Sequence, residues 1–100
     1  MNKIEAIANP AVDIEALELE LEKLGITGMA VTEMRVFGKD IAVREVYRGV
    51  EHIIRHTTKL KIEFPCKDDY RPAVDTLKRY IRIGDHAEGK IFVIPMGGSL

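Results

Sequence analysis

The sequence predicts an α+β fold in which two helices cover one face of a four-stranded antiparallel sheet. Three observations predict this fold. Residues 58–64 alternate between charged and apolar side chains, as a strand with one buried face does. Apolar residues recur at helical spacing in two segments, after residue 13 and again after residue 69. Each helical segment lies between two strand-like segments, so the order β-α-β occurs twice.

The first β-α-β unit begins with residues 3–8 (KIEAIA), which predict a strand that ends before Asn9. A helix follows, for which Asp13 is the expected N-cap and Gly25 marks the end. Residues 29–36 (MAVTEMRV) are rich in strand-forming residues and predict the second strand. The apolar stripe of the helix consists of Ile14, Leu17, Leu21 and Leu24.

The second β-α-β unit begins with the alternating strand, which Pro65 is expected to end. Asp68 or Asp69 is predicted to open the second helix, and Gly84 to close it. Residues 90–95 (KIFVIP) predict the last strand, which completes a ferredoxin-like βαββαβ sandwich. The apolar stripe of this helix consists of Tyr70, Ala73, Val74, Leu77, Tyr80 and Ile81.

A long connection, residues 37–57, lies between the second and third strands. Connections longer than about 12–15 residues in a compact domain are usually functional or disordered. This segment contains few linker residues and many strand formers, so we expect a long protruding hairpin or mobile loop. The strand formers are Ile41, Val43, Val46, Tyr47, Val50, Ile53 and Ile54.

Length and composition predict one cytoplasmic domain that spans residues 1–100. Charged residues make up 31% of the chain and its formal net charge is −1, which argues against a nucleic-acid partner. No apolar run is long enough for direct membrane insertion. The single cysteine, Cys66, is interpreted as a small buried filler, because no histidine and aspartate follow at the spacing of a nucleophilic site.

Several stretches along nearly the whole chain resemble the PII family of nitrogen-regulatory signal-transduction proteins. The resemblance implies a ferredoxin-like homotrimer that binds an adenine nucleotide (ATP, ADP or AMP) in clefts between subunits. It also implies that the 37–57 loop controls a protein partner, either a membrane transporter or a metabolic enzyme. The matching stretches are KIEAIANP at 3–10, LGITGMAVTEM at 24–34, FG at 37–38, VYRGVE at 46–51, KLKIE at 59–63 and GKIFVIP at 89–95.

The resemblance implies a nucleotide site built from glycines, two lysines and a few apolar residues. Glycines allow backbone N–H groups to approach phosphate oxygens, and Lys39 and Lys90 would neutralise the phosphate charge. The two glycine-lysine stretches, near Gly38 and Gly89, are expected to meet from adjacent chains. The implied nucleotide-binding residues are Ile7, Gly28, Met29, Ala30, Phe37, Gly38, Lys39, Gly89 and Lys90.

The family also senses 2-oxoglutarate together with magnesium and ATP, and the implied effector residues here are Lys59 and Asp40. Asp40 stands where the family has a glutamine. An aspartate could hold Mg²⁺ but would repel an anionic ligand, so we expect weak or absent sensing. The implied partner-binding loop residues are Tyr47, Arg48, Gly49 and His52, the last at the position of the family's uridylylated tyrosine.

Other interpretations of the same residues remain open. The chain could be a ligand-independent trimeric interaction module that has lost nucleotide and 2-oxoglutarate sensing. The lysines could be plain surface charges, and the glycines could serve only turns. His52, His56 and His86 lack a further ligand at a motif spacing, so we predict no metal site and no cofactor. We also predict no enzyme activity, because the arginine-bearing loop of an acyl-phosphate hydrolase is absent near the N-terminus.

Overall fold

The structure is a computed structural model that describes residues 1–38, 43–54, 56–81 and 90–98. The described part contains two helices and six strands. In chain order they are β1 (Asn2–Ala8), α1 (Ile14–Glu22), β2 (Ala30–Phe37), β3 (Val43–Tyr47), β4 (Val50–Ile54), β5 (His56–Cys66), α2 (Arg71–Tyr80) and β6 (Lys90–Pro95).

Four of these strands form the main sheet, in the order β2-β5-β1-β6, and every neighbouring pair is antiparallel. Ala6 in β1 lies opposite Ile62 in β5 and Ile91 in β6. Both helices pack on the face that carries these residues. The predicted ferredoxin-like sandwich is therefore confirmed. Its core consists of Ile4, Ala6, Ala8, Leu17, Leu21, Ile62, Phe64, Cys66, Ala73, Leu77 and Ile81.

Helix α1 begins as the sequence predicts. The carboxylate of Asp13 accepts a hydrogen bond from the backbone N–H of Ala16 at 3.1 Å, which confirms the N-cap. The helix ends at Glu22, and Gly25 follows with a φ of +84°. Leu24 therefore lies beyond the helix and is exposed, so its assignment to the buried stripe was wrong.

The N-cap of helix α2 lies one residue after Asp69 and two residues after Asp68, the two predicted caps. Tyr70 occupies the N-cap position without a side-chain hydrogen bond. Asp69 accepts from Nε of Arg71 at 3.2 Å and from the backbone N–H of Arg71 at 3.4 Å, while Asp68 pairs with the Met1 ammonium at 2.6 Å. Asp69 therefore bonds the first backbone N–H of the helix, although it precedes the N-cap position, and Asp68 does not. Tyr70 precedes the helix and is 39% exposed, so it does not belong to the stripe.

The third strand of the sandwich, β5, is longer than predicted and continues through Pro65 to Cys66. The prediction that Pro65 ends it was wrong. Pairing between β2 and β5 stops at the pair Ala30–Glu63, so beyond Glu63 the strand has only β1 as a neighbour. A proline is tolerated at such an edge position. The C-cap of helix α2 is Ile81. Gly84, which is predicted to close this helix, lies outside the described residues.

Between β2 and β5 the described residues form a separate two-stranded hairpin, β3 and β4. Val43 pairs with Ile54, and Tyr47 pairs with Val50. The two turn residues, Arg48 and Gly49, have φ values of 51° and 76°. Positive φ at both positions is typical of a type I′ turn, whose twist matches that of the flanking strands. We call residues 43–54 the hairpin.

Candidate functional site

The face of the sheet that lies opposite the helices carries several exposed side chains, and we call it the open face. Strand alternation and register assign its residues, because side chains next to core residues point the other way. Two of its large apolar side chains, Phe92 and Ile94, are 45% and 38% exposed. The face comprises Lys3, Glu5, Ile7, Ala30, Thr32, Met34, Val36, Lys59, Lys61, Glu63, Lys90, Phe92 and Ile94.

A groove lies where the chain enters β2. Its volume is about 670 Å³, within the range of small-molecule sites. The predicted residues Gly28, Met29 and Ala30 lie together along it. The full lining is Lys3, Gly25, Ile26, Thr27, Gly28, Met29, Ala30, Glu63, Phe64, Pro65 and Met96. The structure therefore brings three of the predicted nucleotide-binding residues to one cavity.

The two glycines of the groove have different roles. Gly25 has a φ of +84° and is required by the backbone. Gly28 has no positive φ, and a Cβ added to it would meet no atom within 4 Å. The open space beside Gly28 would allow a bound group to approach the backbone closely. The interpretation that this glycine serves only a turn is therefore not supported.

One ion pair lies in the groove. Nζ of Lys3 is 2.8 Å from Oε2 of Glu63 and 3.1 Å from Oε1 of Glu5. The hydrogen bond from Lys3 holds the pKa of the Glu63 carboxyl below its usual range, and the same bond raises the pKa of Lys3. Lys3 and Glu63, the two charged residues that line the groove, thus neutralise each other, which leaves the groove suited to an uncharged part of a ligand.

Ile7 and Lys90 are also brought together, at a different position. They are register partners in the pair β1–β6, and Lys61 lies opposite Ile7 on the other side. The open face therefore carries a row in which an apolar side chain lies between two cations. Lys90 is exposed. Such a row could contact an apolar ring and an anionic group at once.

Phe37 and Gly38 lie far from the groove. Phe37 and Ala30 are at opposite ends of β2, and seven steps of about 3.3 Å separate them by about 23 Å. The ring of Phe37 is 67% exposed and its centroid lies 5.3 Å from that of His56. Within one chain, the predicted nucleotide-binding residues thus form separate groups. They could line one site only across a contact between two copies.

The remaining predicted residues divide into two sets. Lys59 lies opposite Met34 on the open face and is only 8% exposed. Arg48 and Gly49 form the turn of the hairpin, while Tyr47 and His52 belong to its two strands. The other set lies outside the described residues and consists of Lys39, Asp40 and Gly89.

Metal binding and cysteine chemistry find no support in the described residues. Residues 1–38, 43–54, 56–81 and 90–98 contain no group of three or more His, Cys, Asp or Glu side chains placed to hold an ion. Burial raises the pKa of the Cys66 thiol, which makes it a poor nucleophile. Neither described helix has the length and apolar character needed to cross a membrane.

Sequence reasoning missed several groove residues, notably Lys3, Glu63 and Met96. The alternation of residues 58–64 shows that Lys61 and Glu63 share the polar face. It does not show which residue of the neighbouring strand they meet. That information lies in the register, in which Glu5 faces Glu63 and Lys3 faces Pro65.

Comparisons with known proteins agree with this architecture. The family model of nitrogen regulatory protein P-II matches residues 1–98. The chain is 40% identical over 94 residues to nitrogen regulatory protein P-II 1 of Escherichia coli K12, an alignment that covers 93% of this chain and 83% of that protein. It is 38% identical over 94 residues, with the same coverage, to nitrogen regulatory protein P-II of Bradyrhizobium diazoefficiens.

Solved structures give the same result. The chain superposes on B. subtilis GlnK with a TM-score of 0.70 and 27% sequence identity, which covers 96% of this chain and 84% of that chain. A structure of the B. subtilis GlnK-ATP complex matches equally well, with a TM-score of 0.70. From these matches over nearly its whole length, the chain belongs to the nitrogen regulatory protein P-II family, whose members are regulatory signal transducers and not enzymes.

Proposed function

We propose that this chain is a cytoplasmic homotrimeric regulator that binds an adenine nucleotide between subunits and signals through residues 37–57. The observation that carries the proposal is the groove along Gly28, Met29 and Ala30, with its open space beside Gly28. A related protein with the same fold, B. subtilis GlnK, is described in complex with ATP. The lining of the groove suits the base and ribose, while the phosphates require cations from elsewhere.

Those cations support a site shared by two subunits. Lys90 lies beside Ile7 on the open face, and Phe37 and Gly38 lie at the far end of β2 from the groove. A nucleotide bound where two subunits meet would have Lys39 of one subunit and Lys90 of the other beside its phosphates. Neutralisation of a polyphosphate by lysines and backbone N–H groups is the expected recognition chemistry.

The exposed open face supports self-association. Phe92 and Ile94 place exposed apolar surface on this face, which also carries Ile7, and an exposed apolar patch usually marks an interface. A trimer would cover this face and bring the separated site residues into clefts. In a monomer, the predicted site residues would remain in separate groups.

The hairpin supports the output step. Its type I′ turn places Arg48 and Gly49 at a tip that is exposed and separate from the main sheet. A nucleotide bound beside Phe37 and Gly38 would favour one arrangement of this segment, and the partner would bind that arrangement. The partner is a membrane transporter or a metabolic enzyme.

Calorimetry with ATP, ADP and AMP tests nucleotide binding, with native mass measurement to establish the trimer. We expect binding by at least one nucleotide and a loss of about tenfold or more for Lys90→Ala, because charge-assisted phosphate contacts are strong. Lys78→Ala, in the last turn of α2, removes the same charge at an exposed residue that does not line the groove and should leave binding unchanged. Absence of binding by all three nucleotides at millimolar concentration would contradict the proposal.

Pull-down of the partner with and without nucleotide tests the signalling step. We expect capture to depend on the nucleotide. Equal capture in both conditions, by a protein that is trimeric, would identify the chain as a ligand-independent interaction module. A parallel titration with 2-oxoglutarate and Mg²⁺ should show little added effect, because Asp40 would repel the anionic ligand.

A further inference from the structure

A pair of like charges faces each other on the open face. Glu5 and Glu63 are direct register partners in the pair β1–β5. Opposed carboxylates in adjacent strands repel each other and destabilise the pairing. Lys3 lies within reach of both, with its Nζ at 3.1 Å from Glu5 and 2.8 Å from Glu63, and Lys61 approaches Glu63 at 3.8 Å. The ammonium of Lys3 therefore holds the two carboxylates together.

This cluster has no net charge and lies among apolar side chains. Two lysines balance two glutamates, Phe92 is the register partner of Glu5, and Ile94 is the register partner of Lys3. A surface whose charges are already balanced requires no complementary charge from its partner. A second copy of the same chain can therefore cover it, whereas a strongly acidic or basic partner would gain nothing there.

From this arrangement we infer that Lys3 acts as a clamp for self-association: it neutralises Glu5 and Glu63 so that the open faces of separate copies can meet. The inference rests on the homotrimer of the proposed function and names the residue on which that assembly depends. Among the other lysines of the face, Lys61 approaches Glu63 at 3.8 Å, and Lys59 and Lys90 lie nearer the opposite end of β1 and β5. They cannot replace Lys3 between the two carboxylates.

Removal of Lys3 should have a larger effect on assembly than removal of one carboxylate. Lys3→Met keeps much of the apolar stem but leaves two carboxylates opposed in a surface that would be buried. We expect it to raise the dissociation constant of the assembly by about tenfold or more, because buried like charges strongly disfavour association. Glu63→Gln leaves Lys3 paired with Glu5 and should have a smaller effect. Combining Glu63→Gln with Lys3→Met should restore part of the lost association.

Sedimentation velocity of the full chain over a series of protein concentrations measures the dissociation constant of the assembly. Circular dichroism verifies that each variant folds. Lys23→Met is the matched control, since Lys23, the C-cap of α1, pairs with Glu20 at the same 2.8 Å. A wild-type trimer with an unchanged Lys3→Met trimer would overturn the clamp alone. A wild-type monomer at all concentrations would overturn the proposed assembly itself. If Lys3→Met does not fold, Lys3→Gln removes the same charge, and an unchanged trimer of that variant would overturn the clamp.

Discussion

The two faces of the main sheet are formed by the same strands but carry different kinds of side chain. On the helix face, Ile4, Ile62 and Phe64 are almost completely buried against α1 and α2. On the open face, the intervening residues of the same strands are lysines, glutamates and partly exposed apolar side chains. Burial of apolar area dominates folding stability, so the helix face determines whether the chain folds.

The open face has a different role. Its ion pairs are partly solvated, and such pairs contribute little to folding stability. Yet it carries Ile7, Lys59 and Lys90, and its residues Lys3 and Glu63 form one wall of the groove. Substitutions there should change binding or assembly while the fold persists. Because the two faces have different roles, substitutions within one strand should alter folding stability and function separately.

The largest expected effect is a difference in folding stability between two substitutions in β5. Ile62→Ala should lower the free energy of unfolding by about 2–5 kcal/mol, because the side chain is fully buried and its removal leaves a cavity. Lys61→Ala, one residue earlier on the open face, should cost less than about 1 kcal/mol. Urea unfolding followed by circular dichroism measures both. Equal losses for the two variants would show that the faces do not differ in this way.

A smaller effect should separate the two groove glycines. Gly25→Ala places a side chain at a φ of +84° and should cost about 1–2 kcal/mol of stability. Gly28→Ala meets no nearby atom, so it should leave the melting temperature almost unchanged while it narrows the groove. Nucleotide titration should then show weaker binding for Gly28→Ala. If instead Gly28→Ala destabilises the protein as much as Gly25→Ala, the groove glycine has a structural role.

Much of the sandwich could be predicted because its signals are local. The alternation of residues 58–64 assigns Ile62 and Phe64 to the core and Lys61 to the opposite face, and Asp13 marks the start of α1. The start of α2 differs from the prediction because Tyr70 occupies the N-cap position, while Asp69 accepts from both Nε and the backbone N–H of Arg71. A local pattern shows that a cap residue is present but not which of its neighbours it will bind.

The candidate site was harder to predict because it depends on distances between strands. The sequence names Gly28, Met29 and Ala30, but Lys3 and Glu63 enter the groove only through the offset of β1 against β5. The separation of Phe37 from Ala30 follows from the length of β2. The resemblance to the family identified residues of both groups without showing that a single chain keeps them apart.

The smallest effect expected is the pH dependence of the open-face ion pair. The hydrogen bond from Lys3 lowers the pKa of Glu63 in the folded state, so this pair contributes stability above the usual glutamate pKa of about 4.3. That contribution is lost as the pH falls through the lowered pKa of Glu63. The pKa of Lys3 is raised by the same hydrogen bond, so the contribution of the pair to stability persists to alkaline pH. It is lost only as the pH rises through this raised pKa, above about 10.4. Urea midpoints of wild type and Lys3→Met should therefore differ at pH 7 and converge at pH 3. A difference that stays constant over this range would show that Lys3 stabilises the strand by packing and not by its charge.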